Sequence, residues 1–168
     1  MQKMVAIGLT GQIASGKGEV ANILKSEFGF TYYSLSDRVR EMAKYYGDRV
    51  TREILQNIGN EMRHMLGGDI FAKLTASLVW AEHKNRIIID GIRNPDEHAF
   101  LAQHPHFFLI GVTAPFEIRF ARMCARNRPT DPKTIKEFFI LDQRDQGIDQ
   151  GPLGQQVKQC IDLADYVL

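Results

Sequence analysis

The stretch that decides the fold is MVAIGLTGQIASGKGE, residues 4–19. A short apolar run leads into a glycine-rich turn with one lysine, Lys17, and an amphipathic segment follows at once. The apolar face of that segment is formed by Val20, Ile23, Leu24 and Phe28. This order predicts a strand, a loop and a helix, and the turn fits the phosphate-binding pattern G-x-x-x-x-G-K, with Gly18 where Ser or Thr usually stands.

The chemistry of such a loop explains its spacing. Glycines let backbone N–H groups turn towards an anion, and the N-terminus of the following helix adds partial positive charge. Lys17 would then reach the outer phosphates of a nucleoside triphosphate. A chance glycine-rich turn is the alternative, but the strand and the helix both stand where the motif needs them. The residues that we predict to bind the donor nucleotide are Gly11, Ala14, Ser15, Gly16, Lys17, Gly18 and Glu19.

Length and composition predict a single domain, residues 1–168, with a substantial core. Hydrophobic residues make up 44% of the chain and the net charge is +1, so no overall field favours nucleic acid or a membrane surface. Cys124 and Cys160 are too few for a disulfide framework, and we interpret both as reduced packing residues. Without a signal peptide or a run long enough to span a membrane, we expect a cytoplasmic protein, either a monomer or a homodimer.

Short apolar runs alternate with helical patterns, which predicts an α/β fold with a parallel sheet. The predicted strands are Val5–Leu9, Phe30–Ser34, Arg86–Ile89, Phe107–Val112 and Tyr166 to the end. A long helical region, residues 36–84, is broken at Gly47-Asp48 and at Gly67-Gly68-Asp69, and prolines break the pattern again near residues 126–151. Two insertions beside one phosphate-binding loop indicate an acceptor-binding region at 36–84 and a lid at 126–151.

Charged residues follow the second and third predicted strands. Asp90 ends the third strand, where ligands of open α/β sheets sit, and its carboxylate can hold the water shell of a Mg²⁺ ion. A turn with Gly91 is the alternative for Asp90. Arg93 would face the same crevice, and guanidinium suits phosphate recognition. Asp37 and Arg40 share one face of a helix start, where Asp37 is either a helix cap or a catalytic group.

The segment 116–128 carries a stripe of arginines. Arg119, Arg122 and Arg126 recur at i, i+3 and i+7, and Arg128 follows. Three like charges on one face repel unless an anion lies against them, so the stripe predicts phosphate contact, with a solvated basic face as the alternative. Arg144 is a further candidate, although the neighbouring acids could simply pair with it.

The sequence resembles P-loop small-molecule kinases over nearly its whole length. IGLTGQIASGKGEVANIL (7–24) resembles the opening of dephospho-CoA kinases, and TREILQNIGNEMRHMLGGDIFAKL (51–74) resembles deoxynucleoside monophosphate kinases. The general layout resembles nucleoside monophosphate kinases of the adenylate kinase type. The whole chain is most similar to uncharacterised, mostly archaeal, kinase-like P-loop proteins, through the segments DGIRNPDE (90–97), VTAPFEIRFARM (112–123), RPTDPKTIKEFFILDQRD (128–145) and ADYVL (164–168).

This resemblance implies a three-layer P-loop NTPase fold whose five-stranded parallel sheet has the order 2-3-1-4-5. It also implies roles for individual residues. Asp37 would lie near the acceptor, Asp90 near the metal, and Arg40 and Arg93 on the acceptor phosphate. The arginines that would correspond to the lid arginines of these kinases are Arg122, Arg126, Arg128 and Arg144.

Two features depart from the family pattern. Neither Gly18 nor Glu19 offers the hydroxyl that these kinases place beside Mg²⁺. The chain also ends at Leu168, the end of the last predicted strand, whereas relatives continue into an adenine-binding loop and a helix. We therefore expect either a truncated chain or weak base recognition.

The resulting prediction is an ATP- and Mg²⁺-dependent kinase acting on a small phosphorylated acceptor, a nucleoside or deoxynucleoside monophosphate. Lys17 would hold the donor phosphates, and Asp37 would orient the acceptor. Arg122, Arg126 and Arg144 would stabilise the transferring group. A dephospho-CoA kinase, with Asp37 as general base, is one alternative. An ATP-binding regulatory protein with weak or no kinase activity is the other.

Overall fold

A computed structural model describes residues 4–46, 50–129 and 131–168. Its five strands form one parallel sheet in the order β2-β3-β1-β4-β5, which confirms the order implied by the resemblance. The strands are β1 Val5–Gly11, β2 Thr31–Ser34, β3 Arg86–Asp90, β4 Phe107–Val112 and β5 Tyr166–Val167. All five strands were predicted, and no observed boundary differs from the predicted one by more than two residues.

Helices fill the segments between the strands. They are α1 Lys17–Phe28, α2 Leu35–Ala43, α3 Arg52–Leu66, α4 Ile70–Glu82, α5 Pro95–Leu101, α6 Phe116–Arg126, α7 Ile135–Gln146 and α8 Val157–Asp162, with a 3₁₀ turn at Lys44–Tyr46. The predicted break at Gly67-Gly68-Asp69 separates α3 from α4, where Gly67 ends α3 with a positive φ of 102°. The break predicted at Gly47-Asp48 lies outside the described residues.

The sheet is covered on both faces, as the continuous apolar sequence of β3 predicted. Ile87 and Ile89 pack against Phe71 of α4 on one face, and Ile88 packs with Ala21 of α1 on the other. Because neighbouring side chains of a strand point to opposite faces, one apolar run serves two cores. These layers form the three-layer α/β architecture.

A third cluster supports the phosphate-binding loop. Ile13 of the loop packs against Met123 of α6 and Phe138 of α7, and all three are buried. The loop therefore rests on α6 and α7 as well as on its own strand and helix.

The two cysteines have different environments. Cys160 of α8 is buried in the main core, as predicted, whereas Cys124 is exposed on α6. The interpretation of Cys124 as a packing residue is wrong, because its place beside the apolar stripe of α6 turns it towards solvent. None of the helices in the described part of the chain is both long and apolar enough to cross a membrane.

A buried ion pair fixes the segment that follows β3. Glu97 is fully buried and accepts hydrogen bonds from Nε and Nη2 of Arg63, at 3.1 and 2.7 Å. Its other oxygen accepts from the backbone N–H groups of Arg93 and Asn94, at 2.7 and 3.1 Å. One carboxylate therefore joins α3 to the start of α5 and sets the position of Arg93.

Glu97→Ala should lower the free energy of unfolding by about 3–5 kcal/mol, because it leaves the buried Arg63 guanidinium without its counter-ion. Glu137 is the matched control, since it occupies the same capping-box position in α7 but is exposed. Glu137→Ala should cost about 1 kcal/mol or less. Urea unfolding of both variants measures the difference, and equal losses would contradict this role of Glu97.

Candidate active site

A cavity of about 580 Å³ lies at the carboxyl ends of the strands, above the phosphate-binding loop. Such an edge is where open α/β sheets bind ligands. Seven cations and three carboxylates line it. The cations are Lys17, Arg40, Arg52, Arg93, Arg122, Arg126 and Arg128, and the carboxylates are Glu19, Asp37 and Asp90.

The predicted loop residues divide into two groups. Residues 14–19 line the cavity, whereas Gly11 does not. Gly11 has a φ of 150°, and an added Cβ would collide with the carbonyl oxygen of Val112, so this glycine is needed for the close approach of β1 and β4. Gly16, with a φ of 114°, is the N-cap of α1, which places the positive end of that helix at the cavity.

Lys17 turns back onto its own loop. Its Nζ donates hydrogen bonds to the carbonyl oxygens of Gly11 and Gln12, at 2.7 and 3.2 Å. Burial lowers the pKa of the Lys17 ammonium to about 8, and the charge of Asp90 opposes part of this shift. An anion in the loop would offer Nζ a stronger partner than two neutral carbonyls.

Asp90 is held by a tyrosine that sequence reasoning missed. The Tyr32 hydroxyl donates to Oδ2 of Asp90 at 2.7 Å. Burial, followed by the charge of Asp90, raises the pKa of Tyr32. Oδ1 of Asp90 is buried and has no hydrogen-bond partner among the described residues. This free oxygen fits the predicted contact with a magnesium ion or its water shell.

The arginine stripe of α6 splits between two environments. Arg119 is buried and donates to both oxygens of Asp142 on α7, at 2.5 and 2.9 Å. Arg122 lines the cavity and donates to the carbonyl oxygen of Ser15 at 2.8 Å. Arg126 also lines it and makes two hydrogen bonds to Asp131, each 2.8 Å long. The stripe therefore offers two arginines to the cavity, while the third joins α6 to α7.

Arg93 and Arg52 line the cavity from the turn after β3 and from the start of α3. Nη1 of Arg93 lies 2.5 Å from Oδ1 of the buried Asp145, and Nη2 of Arg52 lies 3.8 Å from the same oxygen. Burial would raise the pKa of Asp145, but the charges of Arg93, Arg52 and Lys17 keep it below its ordinary value. Burial lowers the pKa of Arg52 to about 10. Arg52 was not predicted, because it stands alone at the start of α3 outside any charge pattern.

Asp37 and Arg40 lie side by side on α2 and both line the cavity. Arg40 donates to Asp37 at 2.9 Å, and both side chains are about half exposed. Ser34 is the N-cap of α2 but makes no side-chain capping bond. Arg144 does not line the cavity and donates to Oδ1 of Asn57 on α3 at 2.6 Å.

A smaller pocket, about 40 Å³ in volume, adjoins the cavity through shared residues. The residues common to both are Ser36, Arg40, Arg52, Gly91 and Arg93. Its remaining wall is largely apolar and includes Phe71, with three polar residues, Gln56, Arg63 and Gln155. Oε1 of Gln56 and Nη1 of Arg63 are buried without a hydrogen-bond partner among the described residues.

Comparisons with known proteins match most of the chain. A family model described as "AAA domain" matches residues 7–141. A UPF0200 protein from Hyperthermus butylicus is 32% identical over 160 residues, which cover 95% of this chain and 82% of that protein.

Solved structures give the same fold. Shikimate kinase from Acinetobacter baumannii, in complex with shikimate, aligns with a TM-score of 0.56 and 15% identity over 99% of this chain and 84% of that one. Shikimate kinase from Bacteroides thetaiotaomicron aligns with a TM-score of 0.55 and 16% identity over 98% and 86%. The chain has a P-loop kinase-like fold.

The pKa of Lys17 predicts that binding of ATP weakens as the pH rises through 8. Below pH 8 the ammonium is charged before and after binding, but above pH 8 binding must take up a proton. Without Mg²⁺, the affinity for a fluorescent ATP analogue should fall about tenfold between pH 7 and pH 9. Lys17→Arg stays charged and should give a flat profile. An unchanged wild-type affinity over this range would contradict the prediction.

Proposed function

We propose that this chain is an ATP-dependent kinase for a small phosphorylated acceptor. The chain belongs to the UPF0200 family and to the AAA domain family. We infer a nucleoside or deoxynucleoside monophosphate as that acceptor. The observation that carries the proposal is that two groups of cations line one cavity, one on the phosphate-binding loop and the end of α6 and the other on α2, the start of α3 and the turn after β3. A triphosphate needs positive charge at one end, and an acceptor that is itself anionic needs it at the other.

The donor end consists of the phosphate-binding loop and α6. The backbone N–H groups of the loop and Lys17 would hold the β- and γ-phosphates of ATP. Arg122 and Arg126 would stabilise charge on the transferring phosphoryl group, since both line the cavity beside the loop. Arg128 lines the same side and is exposed. Residues 126–151 remain our proposed lid.

A magnesium ion fits this end through Asp90. No group of three or more His, Cys, Asp or Glu side chains that could hold a metal is present in residues 4–46, 50–129 and 131–168. Asp90 would therefore share the ion with phosphate oxygens and water, to which its unpartnered Oδ1 is suited. When bound, Mg²⁺ neutralises phosphate charge.

The acceptor end consists of α2, the start of α3 and the turn after β3. Arg52 and Arg93 would bind the acceptor phosphate, and Arg40 would complete the charge around it. Asp37 would orient the acceptor. A phosphate oxygen of the acceptor would take the γ-phosphoryl group as the bond from Pγ to the bridging oxygen breaks, which leaves ADP. A phosphate oxygen is already ionised, so this step needs no general base.

The adjoining pocket, about 40 Å³ in volume, would receive only an edge of the organic part of the acceptor. Phe71 offers an apolar surface there, and the unpartnered atoms of Gln56 and Arg63 offer one acceptor and one donor of hydrogen bonds. The edge of a nucleobase carries the complementary pair. Dephospho-CoA remains the alternative acceptor, in which case Asp37 would be the general base for a hydroxyl group.

A regulatory ATP-binding protein is the second candidate, and one observation favours it. Gly18 and Glu19 both line the cavity, so no hydroxyl stands at the position that kinases of this type use beside Mg²⁺. An acidic side chain close to the phosphates would also repel them.

A coupled assay of ADP release separates the two candidates. The acceptors to be compared are the nucleoside and deoxynucleoside monophosphates, dephospho-CoA and shikimate. We expect one monophosphate to stimulate ADP release at least about a hundredfold, and Lys17→Met to lower that rate by a similar factor. ATP binding without stimulated turnover by any acceptor would contradict the kinase and support the regulatory protein. Stimulation by dephospho-CoA or shikimate alone would contradict the monophosphate.

A further inference from the structure

We propose that Asp145 is a positioning residue that holds Arg52 and Arg93 as a preformed clamp for the acceptor phosphate. The inference rests on the proposed function. Asp145 itself would not touch the acceptor, because its side chain is 1% exposed and does not line the cavity. Its two guanidinium partners do line it. Asp145 therefore acts on the site only through them.

The geometry of the contact supports a clamp. Both guanidinium groups approach the same oxygen of Asp145, at 2.5 Å for Arg93 and 3.8 Å for Arg52. The contact of Arg93 is a hydrogen bond, whereas Arg52 is attracted to the same oxygen by charge at a longer distance. Two cations around one carboxylate also leave a net positive charge, which an anion can neutralise. Nε of Arg52 is buried without a partner among the described residues, so a donor is left for that anion.

The rest of Arg93 is fixed as firmly as its guanidinium. Its backbone N–H donates to the buried Glu97 at 2.7 Å, and its carbonyl oxygen accepts from the N–H of Gln156 at 2.6 Å. With Asp145 holding the side chain, Arg93 has little freedom to lose when an acceptor binds. Preformed contacts of this kind lower the entropic cost of binding.

Arg52 is connected to Asp145 through the packing of two helices. Arg52 begins α3, and Asp145 lies in the last turn of α7. Between them, Nε2 of Gln56 on α3 donates to the carbonyl oxygen of Leu141 on α7 at 3.3 Å. Arg144 of α7 donates to Asn57 of α3 at 2.6 Å. These bonds keep the end of α7 beside the start of α3.

A purely structural role for Asp145 would be to neutralise two partly buried cations. The chain offers a matched control for that role in Asp142, one turn earlier on α7. Asp142 is equally buried and equally close to an arginine, Arg119, at 2.5 Å. Arg119 does not line the cavity. Asp142 and Asp145 thus differ in whether their partners face the cavity.

The test compares Asp145→Asn with Asp142→Asn by steady-state kinetics, using the acceptor that gives the fastest ADP release. Asp145→Asn should raise the KM for the acceptor about tenfold and change the KM for ATP less than about twofold. Asp142→Asn should change the acceptor KM less than about twofold, because its partner lies away from the cavity. Equal effects of the two variants on the acceptor KM, or no effect of Asp145→Asn, would overturn the proposal.

A double variant separates stability from function. Asp145→Asn leaves two partly buried cations without their counter-ion, so it should also lower the free energy of unfolding. Asp145→Asn combined with Arg52→Gln removes one charge of each sign. This double variant should regain part of the lost stability but not the acceptor KM of the wild type. Recovery of both together would overturn the clamp.

A binding measurement keeps this test independent of turnover. With the donor end filled by a non-hydrolysable ATP analogue, inorganic phosphate is titrated into the wild type and both single variants. Asp145→Asn should weaken phosphate binding about tenfold relative to Asp142→Asn, and equal affinities would overturn the proposal. If the wild type shows no stimulated ADP release, the proposed kinase is contradicted. The comparison of phosphate binding between the two single variants then still tests the clamp.

Discussion

The rest of the structure depends on the pairing of the cations that line one cavity, because they would otherwise repel one another. Like charges placed this close would drive the walls apart unless each had a fixed partner. Arg122 donates to the loop carbonyl of Ser15, Arg126 pairs with Asp131, and Arg93 pairs with Asp145. These partners hold the guanidinium groups at the cavity without filling it, so the site keeps its positive charge for a ligand.

Helix α7 pairs with residues of α6, α3 and the turn after β3. Asp142 holds Arg119, which also donates to the carbonyl oxygen of Ile13 in the phosphate-binding loop at 3.3 Å. Asp145, one turn later, pairs with Arg93 and Arg52, which line the cavity. Helix α7 therefore supports the elements that line the site, although none of its own residues lines the cavity.

The sequence predicted the sheet well because its strands carry their own signal. Ile87-Ile88-Ile89 suits a strand covered on both faces, and the turn around Lys17 predicted the strand before it and the helix after it. The strand order came from resemblance, since no property of a single strand identifies its neighbours. The burial of Cys124 could not be predicted from its apolar neighbours in sequence, because its side chain is exposed in the structure.

The site was predicted less completely, for a related reason. The spacing of Arg119, Arg122 and Arg126 correctly placed them on one side of α6, but only tertiary packing decides that Arg119 is buried against Asp142. Arg52 and Tyr32 reach the cavity from elements far apart in sequence and belong to no motif. A signal for Tyr32 existed in its position near the carboxyl end of β2, the edge where Asp90 also lies.

The central claim is that one cavity holds a triphosphate and a second anion at opposite ends. A crystal structure with a non-hydrolysable ATP analogue and a nucleoside monophosphate tests it most directly. We predict the β- and γ-phosphates in the loop, with Nζ of Lys17 moved from the carbonyl oxygens of Gly11 and Gln12 onto them, and the monophosphate on Arg52 and Arg93. A monophosphate bound elsewhere, or a triphosphate outside the loop, would contradict the account.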